Sequence, residues 1–182
     1  MKNTASVFND GECVYFYSKI KIGVGTKIYL ILINLFFVFI ITLILSSIKL
    51  NGKQNLVVIV LPVLYIFSLG RISLWNFFGE EQIIINTNSI VHNKNFGLFT
   101  TSFKTIQFKK LKCVLNQEKE FNNIPFGTIS FLDKTQLDVP IVIFSSSIYV
   151  PIQVLVELEN QLEFVFCIEH LAHEDYDIIH LN

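Results

Sequence analysis

The chain has 182 residues, room for about one domain with additions. Apolar residues make up 52% of it and charged residues only 16%, against about 45–50% and 25% in a typical soluble domain, so more grease is present than a core of this size needs. Lys and Arg total 14 against 15 for Asp and Glu, which excludes nucleic acid as the main partner, because phosphate binding needs a basic excess.

The three cysteines, Cys13, Cys113 and Cys167, are widely spaced. An odd, scattered set reads as free thiols in a reducing compartment rather than a disulfide framework.

In chain order, residues 1–27 form an N-terminal segment in which "ECVYFYSKIKIG" alternates, with Val14, Phe16, Ser18, Ile20 and Ile22 on one side. That pattern predicts a strand pair joining a later sheet. Ile28 to Leu45 then runs without a charge, meeting the length of about 18 residues that a membrane-spanning helix requires. A cleaved signal peptide fits poorly, because the run starts late and no small-residue cleavage site follows.

A second apolar run starts at Leu56, contains Pro62, passes Gly70 and Arg71, and resumes as "ISLWNFF". Pro62 is tolerable because lipid-buried helices re-satisfy a freed carbonyl locally. A short polar turn centred on Asn51-Gly52 joins the runs, so residues 28–78 read as a transmembrane helical hairpin. Lys2, Lys19, Lys21 and Lys27 precede it, Arg71 lies near the end of its second run and Lys94 follows, while the turn holds only Lys49 and Lys53. The bias predicts that both termini are cytoplasmic. Arg71 and Trp75 are then interface anchors, the guanidinium snorkelling to headgroups and the indole lying at their level.

From Gln82 the period changes to two. The pattern predicts strands at about 82–86, 89–94 and 98–105, then a helical turn carrying Phe108 and Leu111 inward and Lys109 and Lys110 outward. "LKCVLNQ", "TISFL" and "QLDVPIVIF" read as further strands, with "NNIPFG" a loop and Pro140 marking an edge or bulge. Pro151 opens an amphipathic helix with Ile152, Leu155, Val156, Leu158 and Leu162 on its apolar stripe, and Ser147 stands where a cap would. The whole is a membrane-anchored α+β chain, with a strand-and-helix unit over 79–163 and a tail over 164–182.

Leu74-Trp75 at the membrane exit, Gly79-Glu80-Glu81 opening the first strand, Gly97 in the first hairpin turn, and Phe108 with Leu111 follow one another in order. Gly127, Ile129 and Phe131 before the Lys134-Thr135 turn complete the set. In this order of parts the chain resembles small bacterial two-span membrane proteins with a pleckstrin-homology-like domain, over roughly residues 12–163. The resemblance implies a seven-stranded, partly open β-barrel closed at one end by the C-terminal helix, and location in the bacterial inner (cytoplasmic) membrane. Where such proteins often carry basic residues after the hairpin Gly, this chain has "LFTTSF", which argues against a phosphoinositide pocket.

Chemistry-bearing residues have plain alternatives. Lys104, Lys109, Lys110 and Lys112 form a basic cluster that would press on anionic lipid at about 1 kcal/mol per Lys, or be an ordinary solvated face. Cys167, His170, His173, Glu174, Asp175 and His180 are metal-ligand types in the tail, but no second ligand pair supports them, so neither a metal nor a cofactor is expected. Cys113 alternates with Leu111 and Leu115 into an apolar side and reads as structural. Ser145 to Ser147 lack the strained turn that exposes a nucleophile. Glu80 and Glu81 are neighbours and would face opposite sides of a strand, so they make no acid dyad. Asn34 reads as a helix–helix hydrogen-bonding residue, supporting hairpin packing or a homo-oligomer.

The reading is a non-enzymatic binding or scaffold module. Its partners are the bilayer and a protein docking near the basic cluster or the edge strand 139–144. The alternative is a small transport or channel subunit in which the spans act. A metal-dependent enzyme built on the tail is the third reading.

Overall fold

The structure, a computed structural model, describes residues 3–47, 55–134 and 140–170. Its first helix, α1 (Val24–Ser47), is apolar on every side. Leu32, Leu35, Phe36 and Phe39 all stand exposed, which a helix buried in a protein core would not allow. The second apolar stretch is helical throughout, as α2 (Asn55–Tyr65), a π-helical turn (Ile66–Gly70) and α3 (Arg71–Phe78). The two stretches are long and apolar enough to cross a membrane by length and composition. The turn around Asn51-Gly52, with Lys49 and Lys53, lies outside the described residues.

Asn34 ties the stretches together. Its amide donates to the Ser73 hydroxyl at 2.8 Å and to the Leu30 carbonyl at 2.6 Å, while its Oδ1 accepts from the Tyr65 hydroxyl at 2.6 Å. Tyr65 and Ser73 are eight positions apart, which a regular α-helix would turn through about 800°, leaving them about 80° out of line. The wider π turn between them takes up that difference, so both reach one side chain. Asn34 thus serves packing within one chain.

The strands form two open sheets. The first has order β1 (Thr4–Asn9), β2 (Val14–Lys19), β3 (Glu80–Ile85), β4 (Ser89–Asn95) and β5 (Lys104–Gln107), all antiparallel. The strand pair ahead of α1 therefore completes a sheet begun after α3. In the second, β6 (Leu111–Phe121), β7 (Ile124–Lys134) and β8 (Pro140–Ser145) follow one another, and the short β9 (Val150–Pro151) pairs with the start of β7. Among the described residues no strand of one sheet pairs with the other, so the expected partly open barrel is instead a pair of unclosed sheets.

Between them runs α4 (Ile152–His170), which buries Leu155, Leu158, Leu162, Val165 and Phe166 against Phe16, Ile83, Ile129 and Phe131. The observed class is α+β, with an N-terminal apolar helix, a sheet-rich body and a C-terminal helix.

Four local expectations change. The strand predicted at 98–105 begins only at Lys104, because the apolar residues before it turn toward the helices. The predicted helical turn at 108–111 is a bend, held where the Asp133 carboxylate accepts from the Lys109 and Lys110 backbone amides at 3.2 and 3.0 Å. "NNIPFG" is mostly strand: Asn122 and Asn123 alone make a two-residue turn, with φ of 51° and 60°. Pro151 pairs with Phe126 as part of β9, so α4 starts one residue later and continues past 163 to His170.

If Asn34 is the clamp between the apolar helices, Asn34→Leu should leave two hydroxyls without their partner. A loss of roughly 0.6 kcal/mol, and at most about 1.7, is expected for such a bond in a bilayer. Denaturant unfolding of the protein in mixed micelles measures it; an unchanged midpoint would remove the clamp.

Candidate functional site

The helices enter the body without a linker. Only Ile20 to Gly23 separate β2 from α1, and Gly79 alone separates α3 from β3. The Ile20 amide donates to the Gly79 carbonyl at 2.9 Å, carrying the β2–β3 ladder up to the helices, and the Gly79 amide donates to the Trp75 carbonyl at 2.8 Å. A Cβ on Gly79 would lie 2.3 Å from that same Trp75 oxygen, so the turn from helix to strand is open to glycine alone.

Aromatic rings fill the joint. Trp75 packs on Phe96 at 4.9 Å, and Phe96 stacks on Phe99 at 4.7 Å. Two cations join them, Arg71 lying 5.2 Å from the Phe96 ring centre and Lys94 5.6 Å from that of Trp75. Gly97 has φ of 86°, and a side chain there would run into Phe78.

Behind this joint lies a buried carboxylate. Pairing puts Ser18, Glu81 and Lys94 in one row across β2, β3 and β4, on the face that also presents Phe16, Ile83 and His92. Glu81 has no solvent exposure, and a carboxylate so placed needs donors. It accepts from the Ser147 amide and hydroxyl, each at 3.0 Å, and from the Lys94 ammonium at 3.2 Å. Lys94 also donates to the Ser147 hydroxyl at 2.8 Å.

Three segments thus meet at one side chain: β3, β4 and the loop between β8 and β9. Glu80, by contrast, faces the other way and pairs with Lys19, as strand alternation requires. Ser147 caps no helix; its amide and hydroxyl are spent on Glu81. Lys94 and Ser147 both donate to the carboxylate, which thereby holds the strand and the loop together.

His92 sits beside this cluster with its ring 4.5 Å from that of Phe144 and its Nδ1 buried without a hydrogen-bond partner. Burial holds its pKa below the ordinary 6.5; Glu81 opposes that push, while Lys94 and Lys104 reinforce it.

On the helix side of the joint, an apolar cleft of about 750 Å³ runs between α1, the π turn and α3. Leu35, Phe67, Leu74 and Phe77 line it, Leu98 and Phe99 close its upper rim, and Arg71 is its one cationic lining residue among those described. Leu98 and Phe99 stand 80% and 46% exposed there, an apolar rim that soluble surfaces seldom present. Sequence reading passed over this loop, although the absence of basic residues in "LFTTSF" was its signal.

Arg71 and Trp75, read from the sequence as interface anchors, both pack on Phe96 at the joint. The lysine cluster does not lie there. Ser89 pairs with Gln107 and the Phe108 amide donates to Asn88, so Lys109 and Lys110 are at the end of the sheet away from α3. Lys104 is exposed at mid-height beside His92, and Lys112 is the second residue of β6. Cys113 is buried in the core and Cys167 exposed on α4. His173, Glu174, Asp175 and His180 lie outside the described residues, as does Val139 of the edge segment.

Two outcomes test this electrostatic reading. Lys94→Met leaves an unexposed carboxylate with only the Ser147 donors and should cost roughly 3–5 kcal/mol. Glu81→Gln releases a lysine whose side chain is already 32% exposed, so its cost should be about 1–2 kcal/mol. Equal losses on chemical unfolding would contradict the asymmetry.

For His92, the folded state prefers the neutral ring, so the unfolded chain takes up a proton first as pH falls. Its contribution is fully present above pH 6.5 and is lost as pH falls through the lower folded value. His92→Phe should flatten that acid slope in thermal unfolding while changing little at neutral pH.

Compared with protein-family models, with curated proteins and with solved structures, the chain matches none.

Proposed function

We propose that the chain is a membrane-tethered binding module. Its two apolar helices span the bilayer, and its two-sheet body with the C-terminal helix is a pleckstrin-homology-like domain held on the cytoplasmic side. It docks a protein partner and performs no chemistry.

The observation that carries this reading is the joint: two chain crossings enter the body with one to four intervening residues, and the β2–β3 ladder continues to the helix ends. A body mounted this tightly presents fixed surfaces to the bilayer and to the cytoplasm, which serves positioning rather than capture at a distance. Three further features support it. Exposed apolar residues stand all around α1. The apolar rim of Leu98 and Phe99 lies beside α3, where an anchored body would meet lipid. The hydrogen bonds of Asn34 are met within the hairpin, whereas polar groups on a transport pathway face a cavity or each other across it.

With the rim against lipid, Lys109 and Lys110 point to the far end, toward a partner. The docking edge is β8, the terminal strand of its sheet among the described residues, with Ile141 and Val142 more than half exposed. A partner strand adds to such an edge through main-chain hydrogen bonds, with the apolar side chains giving selectivity.

Copurification from gently solubilised membranes tests this. The intact chain should retain a protein that the double variant Ile141→Lys/Val142→Lys loses. Identical captured sets from the two forms would contradict docking at β8 and return the activity to the spans.

A further inference from the structure

We infer that the cleft between α1, the π turn and α3 is a binding site for one anionic phospholipid, its acyl chain along the apolar wall and its phosphate on Arg71. The inference rests on the spans lying in a bilayer, as proposed above.

The lining selects the occupant. The cleft volume of about 750 Å³ falls within the range of about 300–1,000 Å³ common to small-molecule sites. Its walls are apolar, with Ile31 and Leu35 from one helix facing Leu74 and Phe77 from the other. Asn34 and Ser73 reach it, but they are bonded to each other.

That leaves one unmatched group. Arg71 lines the cleft, and among the described residues no carboxylate lies within ion-pair distance of it; Glu80 and Glu81 pair with Lys19 and Lys94 instead. Its guanidinium lies over the Phe96 ring, a stacking that leaves the edge nitrogens of the fork free to meet two oxygens of a phosphate diester.

Depth fits as well. Arg71 lies seven positions before Phe78, about 10 Å along the helix from the exit, where a bare guanidinium must reach for the headgroups. Leu98 and Phe99 close the rim at that level. A second copy of this chain could cover the apolar walls, but its own α1 is uncharged from Ile28 to Leu45 and brings no anion. An anionic lipid supplies both parts at once.

Trp75 is the single tryptophan of the chain and lies one helical turn from Arg71, so it reports on the site. The protein is reconstituted in phosphatidylcholine vesicles containing a minor share of phosphatidylglycerol, with bromine on the acyl chains of one lipid or of the other. Bromine quenches indole fluorescence at short range.

The expected result is quenching by brominated phosphatidylglycerol about fivefold beyond its mole fraction, the preference one cation confers. Arg71→Gln should abolish the excess, and Arg71→Lys should retain part of it. Quenching by either lipid in proportion to its mole fraction, or an excess unchanged in Arg71→Gln, would overturn the site while leaving the spans in place. No quenching by either lipid would overturn the membrane reading itself, and the site with it.

Discussion

A carboxylate taken wholly out of water organises the molecule. Glu81 follows the helix-to-strand turn by two positions, and its donors come from β4 and from the loop that leads into β9 and α4. Satisfying it therefore brings the start of the first sheet, its neighbouring strand and the second sheet to one place. Lys94 then passes the constraint outward, because the same ammonium that meets Glu81 lies over Trp75 of α3. An apolar pair at these positions would pack as well, but it would not specify which loop must dock there. The polar lock fixes the relation between the helices and the body, and the aromatic joint of Trp75, Phe96 and Phe99 seals it from the other side.

The consequences run in two directions. Toward the helices, a fixed body sets the height of the Leu98–Phe99 rim over the cleft and so defines its upper wall. Away from them, it sets where β8 and the Lys109–Lys110 bend lie. Because β1 and β2 precede α1 while β3 follows α3, the sheet itself straddles the hairpin. Pulling the helices apart would strain the β2–β3 ladder, and unzipping that ladder would free the helices. Helices and body are mechanically one unit, which is why the polar triangle of Asn34, Tyr65 and Ser73 between the apolar helices matters to the body as well.

Much of the fold was legible because its signals are local. Strict alternation with an intervening Asn turn placed β3 and β4 to within two residues. Uncharged length picked out α1, and the alternation of Val14, Phe16 and Ser18 marked β2. What was missed depends on partners distant in sequence. "NNIPFG" has the composition of a loop, yet Gly127 is in β7 because a Cβ there would strike the Asn116 carbonyl and Ile152. "FGLFTTSF" alternates like a strand, but its apolar side chains serve the helix side rather than a core. The site was harder still. Arg71 and Trp75 drew attention by their distance to the apolar run, whereas Glu81 was weighed only as half of an acid pair with Glu80, and nothing near it in sequence announces Ser147. The four lysines cluster in sequence, but the antiparallel register leaves Lys104 at mid-sheet and carries Lys109 and Lys110 to the end away from the helices, while Lys112 belongs to the second sheet.

The central claim is that the helices and the body form one rigid unit through this joint. The most direct test is a distance distribution between spin labels placed at two exposed positions, Val38 on α1 and Glu157 on α4. The background would have Cys13, Cys113 and Cys167 replaced, and the protein would be in lipid bilayers. A single narrow distribution, broadening when Lys94→Met is added, is the predicted result. A distribution already broad in the unaltered joint would mean that the body swings on its helices, and would contradict the account.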